Sequence, residues 1–261
     1  MTLPIYQVDA FSSSLFGGNP AAVCPLNQWI STDLMQKIAA ENNLSETAFL
    51  VPEGDQYGIR WFTPAVEVAL CGHATLASAF VLFNYYHQDR DHLVFQSKSG
   101  PLEVSKEGVE ITLDFPADPP QASTAPEGLQ EALGVNTESI FKGKTDYLVL
   151  LENQSTLMQL TPDFKQLASV KARGVIVTAP GDEYDFVSRF FGPASGVDED
   201  PVTGSAHCTL TPFWQQRLHK NTMKAFQCSK RGGEVKCTLN NQRVLLTGQA
   251  RLYLKGTIDV D

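Results

Sequence analysis

The chain has 261 residues, of which 43% are apolar, and carries a net charge of −9. That length allows one large domain or two of ordinary size, and the composition excludes a disordered chain. The basic residues are scattered, the densest pair being Lys230-Arg231 ahead of Gly232-Gly233, so a phosphate-binding groove for nucleic acid is excluded as well.

At the N-terminus there is no basic region leading into an apolar core, and no signal peptide is expected. Apolar or alternating runs at 5–10 and 21–25 predict strands, followed by a helix over 32–42 with Leu34, Met35, Ile38 and Ala39 on one face. Strands are expected over 46–51 and 57–62. A helix over 73–85 follows, apolar nearly all round through Leu76, Ala77, Ala79, Phe80, Val81, Leu82 and Phe83. A helix without a polar face is buried on every side, which calls for a curved sheet wrapped about it. Its most apolar stretch, 74–83, is too short to span a bilayer. A cytoplasmic protein with no membrane partner is the expectation.

The segment 116–126 is rich in Pro, Ala and Ser and reads as a linker. Beyond it, runs at 147–151, 157–160, 164–170 and 175–179 occupy the slots of the first half in the same order. A second helix is expected over 205–218, kinked where Pro212 interrupts it.

The two halves repeat in detail. Arg60-Trp61-Phe62-Thr63-Pro64-Ala65 reappears as Arg189-Phe190-Phe191-Gly192-Pro193-Ala194, and each is followed by a loop containing Val and an acid. Each loop reaches a glycine that opens a helix: Cys71-Gly72-His73-Ala74-Thr75 in the first half, Thr203-Gly204-Ser205-Ala206-His207 in the second. The second loop is longer and holds the acidic run Asp198-Glu199-Asp200-Pro201. Two α+β domains of matching design follow, 1–118 and 119–261, with a terminal segment able to cross over to the first.

Side chains must supply the chemistry, because neither a phosphate loop nor a dinucleotide fingerprint is present. The five cysteines include no CxxC pair, and neither Cys71-x-His73 nor His207-Cys208 has a zinc-ligand spacing. No metal and no cofactor are expected. Gly72 and Gly204 stand at helix N-termini, where free backbone N–H groups and the positive dipole end favour an anion, and glycine permits close approach. Two matched copies point to paired sites facing each other across a cleft; ordinary capping by Ser or Thr is the plainer reading of each alone.

Glu46, in Asn43-Leu44-Ser45-Glu46-Thr47-Ala48-Phe49, leads into an apolar strand. A carboxylate so placed is partly desolvated and becomes a usable base. The matching place in the second half, Lys171-Ala172-Arg173-Gly174, has no carboxylate, so the candidate base is single. His73, at a helix N-terminus, is expected to be a neutral hydrogen-bonding group, with capping as its bland role. Asp200, held extended by Pro201, is a candidate for an amine or hydroxyl; the alternative is a solvated acidic loop of Asp198, Glu199 and Asp200.

These residues resemble the phenazine-biosynthesis PhzF-like isomerase family. The matching signatures are Gln7-Val8-Asp9-Ala10-Phe11 with Gly18-Asn19-Pro20-Ala21-Ala22-Val23, Leu44-Ser45-Glu46-Thr47-Ala48-Phe49, and Arg60-Trp61-Phe62-Thr63-Pro64 with Glu67-Val68. They continue with Cys71-Gly72-His73-Ala74-Thr75, Glu199-Asp200-Pro201-Val202-Thr203-Gly204-Ser205-Ala206-His207 and Arg231-Gly232-Gly233, in the family's order over nearly the whole chain. The resemblance implies a diaminopimelate-epimerase-like fold, α+β, with two pseudo-symmetric domains that each wrap a mixed sheet around a central helix. It implies a cofactor-independent isomerase, in which Glu46 shuttles a proton between two carbons of a conjugated substrate. His73, Asp200 and Ser205 would orient that substrate, a small carboxylate-bearing metabolite, while N–H groups near Gly72 and Gly204 hold its carboxylate. In the phenazine enzyme itself the substrate is a dihydro-hydroxyanthranilate. A homodimer is also implied.

Two other readings remain at this level. Racemases of this fold use a thiol from each half; Cys71 fills the first place but Thr203 fills the second, which disfavours an amino or hydroxy acid racemase. A small buried hydrophobe is the plain role for Cys71. A non-catalytic ligand-binding homologue is the third.

Overall fold

A computed structural model describes residues 1–260. The chain forms two compact units, one from Met1–Asp114 together with the C-terminal stretch from Leu246 onward, the other Phe115–Leu245.

The first unit contains β1 (Thr2–Ala10), β2 (Asn19–Pro25), α1 (Thr32–Asn42), β3 (Glu46–Glu53), β4 (Gln56–Phe62), β5 (Glu67–Val68), α2 (Gly72–Tyr85), β6 (His92–Ser97) and β7 (Gly100–Glu107). β8 (Glu110–Pro116) leads out of it. The second unit follows with β9 (Gln121–Ala122), α3 (Leu129–Leu133), β10 (Ile140–Lys142), β11 (Asp146–Leu150), α4 (Gln154–Met158), α5 (Phe164–Leu167), β12 (Gly174–Pro180) and β13 (Phe186–Gly192). It continues with β14 (Val197–Asp200), α6 (Gly204–Leu218), β15 (Thr222–Gln227) and β16 (Gly233–Asn240). β17 (Arg243–Gly248) and β18 (Ala250–Asp259) complete the chain.

The internal repeat in sequence is a repeat in strand pairing. In the first unit β2 runs parallel to β3, β3 antiparallel to β4, β4 parallel to β6 and β6 antiparallel to β7. In the second, β11 and β12 are parallel, β12 and β13 antiparallel, β13 and β15 parallel, and β15 and β16 antiparallel. β18 pairs with β1 along its whole length, from Thr2 opposite Asp259 to Ala10 opposite Ala250.

Local chemistry sets the element ends. Ser31 caps α1 by accepting the N–H of Leu34, and Asn43 closes it in the left-handed conformation that a short polar side chain tolerates. α2 is buried from His73 through Ala79 and again from Val81 to Phe83, and packs on β1, β2, β3 and β18. Burying Leu76, Val81, Leu82 and Phe83 contributes roughly 1.5–3 kcal/mol each. α6 packs on β15 and β16.

α6 runs from Gly204 to Leu218 with Pro212 inside it, close to the span of 205–218 expected from the sequence. Proline cannot donate to the carbonyl of Cys208, one turn back. That carbonyl accepts instead from the backbone N–H of Asp118 at 3.0 Å, so the orphaned acceptor is satisfied.

Among the described residues no helix is long and apolar enough to cross a membrane.

Candidate active site

The predicted site residues fall into two groups, one in each unit. In the first, Glu46 opens β3 and His73 lies in the first turn of α2, and Glu46 Oε2 sits 3.2 Å from His73 Nε2. Both side chains are largely out of water. The opposite ring edge faces Cys71 Sγ at 3.6 Å and Asn19 Nδ2 at 3.1 Å. A carboxamide can meet that nitrogen as donor or, turned by half a rotation, as acceptor. Asn19 is delivered to this place by Gly18, whose backbone is left-handed (φ +64°) and where a Cβ would stand 2.1 Å from the carbonyl oxygen of Ala10.

Burial works against a proton on His73, but the Cys71 sulfur and the Glu46 carboxylate outweigh it and hold the ring well above the usual imidazole range. This corrects the expectation of a neutral histidine: a carboxylate in contact is a stronger influence than the end of a helix dipole. Burial and the Glu46 charge push the Cys71 thiol up to about 11, against the pull of His73. At neutral pH the sulfur is therefore a protonated thiol.

Glu46, Cys71 and His73 offer their ligand atoms within 4.8 Å of one another. This is the one place among the described residues where three side chains of metal-ligating type come together.

In the second unit, Asp200 ends β14 and accepts from Thr203 Oγ1 at 2.5 Å. Gln227, fully buried, accepts the N–H of Thr203 at 2.9 Å and donates to Asp200 O at 2.7 Å and Thr203 Oγ1 at 3.2 Å. Ser229 Oγ donates to Pro201 O at 2.8 Å and accepts the N–H of Gly232 at 3.0 Å. The loop ahead of α6 is thus pinned from β15 and the turn after it, which is what the Arg231-Gly232-Gly233 signature serves. Asp198, Glu199 and Asp200 are not one solvated acidic loop, because Glu199 is held by Arg189 and Asp200 by Thr203.

Neither α2 nor α6 is capped by its N-cap side chain, Cys71 in one and Thr203 in the other. The hydroxyl of Thr203 is committed to Asp200, and the Cys71 thiol is a poor acceptor. Gly72 and Gly204 therefore open helices whose first-turn N–H groups have no cap from that residue.

The repeated arginines brace the two loops. Arg60 grips Glu67 through Nε–Oε1 and Nη2–Oε2, both 2.8 Å. Arg189 grips Glu199 in the same way at 2.7 and 3.0 Å. The hydrogen bond from Arg60 drives the Glu67 carboxyl down to about 2, against its partial burial.

Sequence reasoning missed four residues here. Asn19 was seen only as part of the Gly18-Asn19-Pro20 signature, with no role given to it, and Gln227 gave no signal beyond being polar in apolar surroundings. Arg173, which reaches Ser205, sat at the place read as lacking a carboxylate, and Asp146, which it grips, stands on the neighbouring strand.

Two like units, each opening a helix that its N-cap side chain leaves uncapped, make up an α+β protein. The chain matches the family described as Phenazine biosynthesis-like protein over residues 8–256, and it belongs to that family. It is 54% identical over 258 residues to an uncharacterized isomerase of Pseudomonas aeruginosa, covering 99% of each chain. Its fold matches the crystal structure of a PhzF-family phenazine biosynthesis protein of Enterococcus faecalis with a TM-score of 0.96, 48% identity and full coverage of both chains. A probable proline racemase of Agrobacterium radiobacter shares the fold alone, with a TM-score of 0.65 and 9% identity over 99% of this chain and 93% of that one. The relatives place the chain among isomerase-type proteins.

Proposed function

We propose that this protein is an isomerase that moves a proton within a small carboxylate substrate, with Glu46 as the general acid and base and no cofactor. The observation that carries the reading is the buried contact between Glu46 and His73 at the first turn of α2. A charged imidazole on one side orients the carboxylate, which leaves its other oxygen to take a proton from one carbon and return it to the next. N–H groups at the starts of α2 and α6, near Gly72 and Gly204, are suited to a substrate carboxylate or a developing enolate. Asp200 and Ser205 serve as substrate-orienting groups.

A protonated Cys71 and a Thr203 committed to Asp200 favour this one-base path over a pair of thiols. The cytoplasmic setting and the homodimer belong to the same proposal.

The test is proton NMR of a panel of unsaturated and hydroxylated small carboxylates in D₂O with the enzyme. Deuterium should enter one carbon position with the wild type, and entry should stop with Glu46→Gln while the variant stays folded. Undiminished exchange in Glu46→Gln would overturn the role of Glu46.

A further inference from the structure

In the second unit a buried carboxylate holds an arginine against a predicted substrate-binding hydroxyl. Asp146 is almost wholly buried at the start of β11 and lies opposite Gly174 in the parallel register. Arg173, one residue before β12, clamps it in a two-point fork: Nε to Oδ1 at 2.9 Å, and Nη2 to Oδ2. Nε also meets Thr145 Oγ1 at 3.2 Å, and the guanidinium carbon stands 5.7 Å from the centre of the Phe190 ring. The same Nη2 reaches Ser205 Oγ at 3.1 Å. About half of the arginine side chain is nevertheless in contact with water.

A guanidinium has donors and no acceptor. Ser205 Oγ must therefore accept in this bond, which leaves its own proton to be donated in another direction. An ion pair needed only to join β11 to β12 would not have to reach α6. Here one nitrogen bridges the buried acid to the first turn of that helix, and the fork cannot swing away without uncovering Asp146.

We propose that Arg173 is a positioning residue: gripped by Asp146, it fixes the Ser205 hydroxyl as an outward donor and thereby sets a preference for a carboxylate over a neutral amide at the start of α6. The proposal rests on the reading of Ser205 as a substrate-binding residue. Lysine would keep the charge but lose the fork.

The experiment titrates the full-length protein with benzoate and, separately, with benzamide, which has nearly the same shape without the charge. Backbone amide shifts of Gly204 and Ser205 report binding. The wild type should prefer benzoate by about tenfold or more, the size of one charge-assisted hydrogen bond. Because Arg173 alone could not be removed without stranding Asp146, the working variant is Arg173→Gln with Asp146→Asn, a neutral pair that can still hydrogen-bond.

That double variant and Ser205→Ala should each abolish the preference, and the triple variant should lose no more than either, since the residues act as a unit. Arg173→Lys should fall with them. Four results overturn the proposal: no amide shift in the wild type, a preference that survives in the double variant, a loss additive with Ser205→Ala, or a loss that Ser205→Ala does not share. Glu46→Gln is titrated in parallel. If it keeps both turnover and the preference for benzoate, the proton-transfer reading fails while the role of Arg173 stands.

Discussion

Glu46 and Asp146 open like strand pairs in the two units, but on opposite partners of the pair. Glu46 begins β3 facing Ala21 of β2, whereas Asp146 begins β11 facing Gly174 of β12. A Cβ on Gly174 would lie 2.2 Å from the Phe190 ring, so a side chain where the first unit carries Glu46 would have to displace that ring. The second unit's carboxylate stands on the neighbouring strand and is neutralised by Arg173.

The stability consequence separates the pair from its parts. Arg173→Met leaves a buried, unpaired carboxylate and should cost about 3–5 kcal/mol. Asp146→Leu combined with Arg173→Met removes both charges and should recover most of that loss. Urea unfolding of the two variants beside the wild type measures it; equal losses would show that Asp146 does not need its partner.

The Arg60–Glu67 fork predicts a second, pH-dependent effect. Glu67 is held at about 2 in the folded state, below its ordinary value of 4.5. Its contribution is thus complete above the ordinary value and disappears as pH falls toward the folded one. Glu67→Gln should destabilise by about 2 kcal/mol at pH 7 and by much less near pH 2.5. Thermal unfolding across that range reads the difference.

Much of this was legible beforehand because it rests on pattern. The repeated segments at Arg60 and Arg189 announced two units of matching design, and the all-round apolar run through Leu76 and Phe83 announced a helix enclosed by sheet. The glycines at 72 and 204 announced helix starts. What escaped notice depends on contacts distant in sequence. Nothing near Pro212 reveals that Asp118 takes the carbonyl it orphans, and nothing near His73 reveals the Asn19 amide. The charge of His73 was misjudged because only the helix end is visible in sequence, while the carboxylate that outweighs it arrives from β3.

Cys71 supplies a third prediction. Its thiol, at about 11, and those of Cys24 and Cys237, at about 12, are raised chiefly by burial. All three should react slowly with a disulfide reagent at pH 7.5 in the native protein and rapidly after unfolding. Cys71→Ala should keep turnover within about tenfold of the wild type while preserving deuterium entry, because the thiol touches His73 without carrying the proton. A loss as deep as that of Glu46→Gln would restore the thiol-based racemase.

His207 titrates in the opposite sense to His73 and gives the last prediction. It is fully buried in α6, with Nδ1 2.8 Å from the carbonyl oxygen of Thr203 and its ring tilted against Phe186. A neutral ring donating from Nδ1 satisfies that carbonyl. Burial drives its pKa down to about 4, opposed only by that bond. The unfolded chain protonates near the ordinary value of 6.5, so between the two values it binds the additional proton. Stability must then rise with pH across this window: it is complete above about 6.5 and declines as pH falls toward 4, by about 3 kcal/mol in all. Unfolding free energies measured at pH 4.5 and 7 should differ less in His207→Gln than in the wild type, after the lower absolute stability of the variant is taken into account. An equal slope in both proteins would mean that His207 is already protonated in the folded state, and its hydrogen bond to Thr203 would then have to be that of an imidazolium.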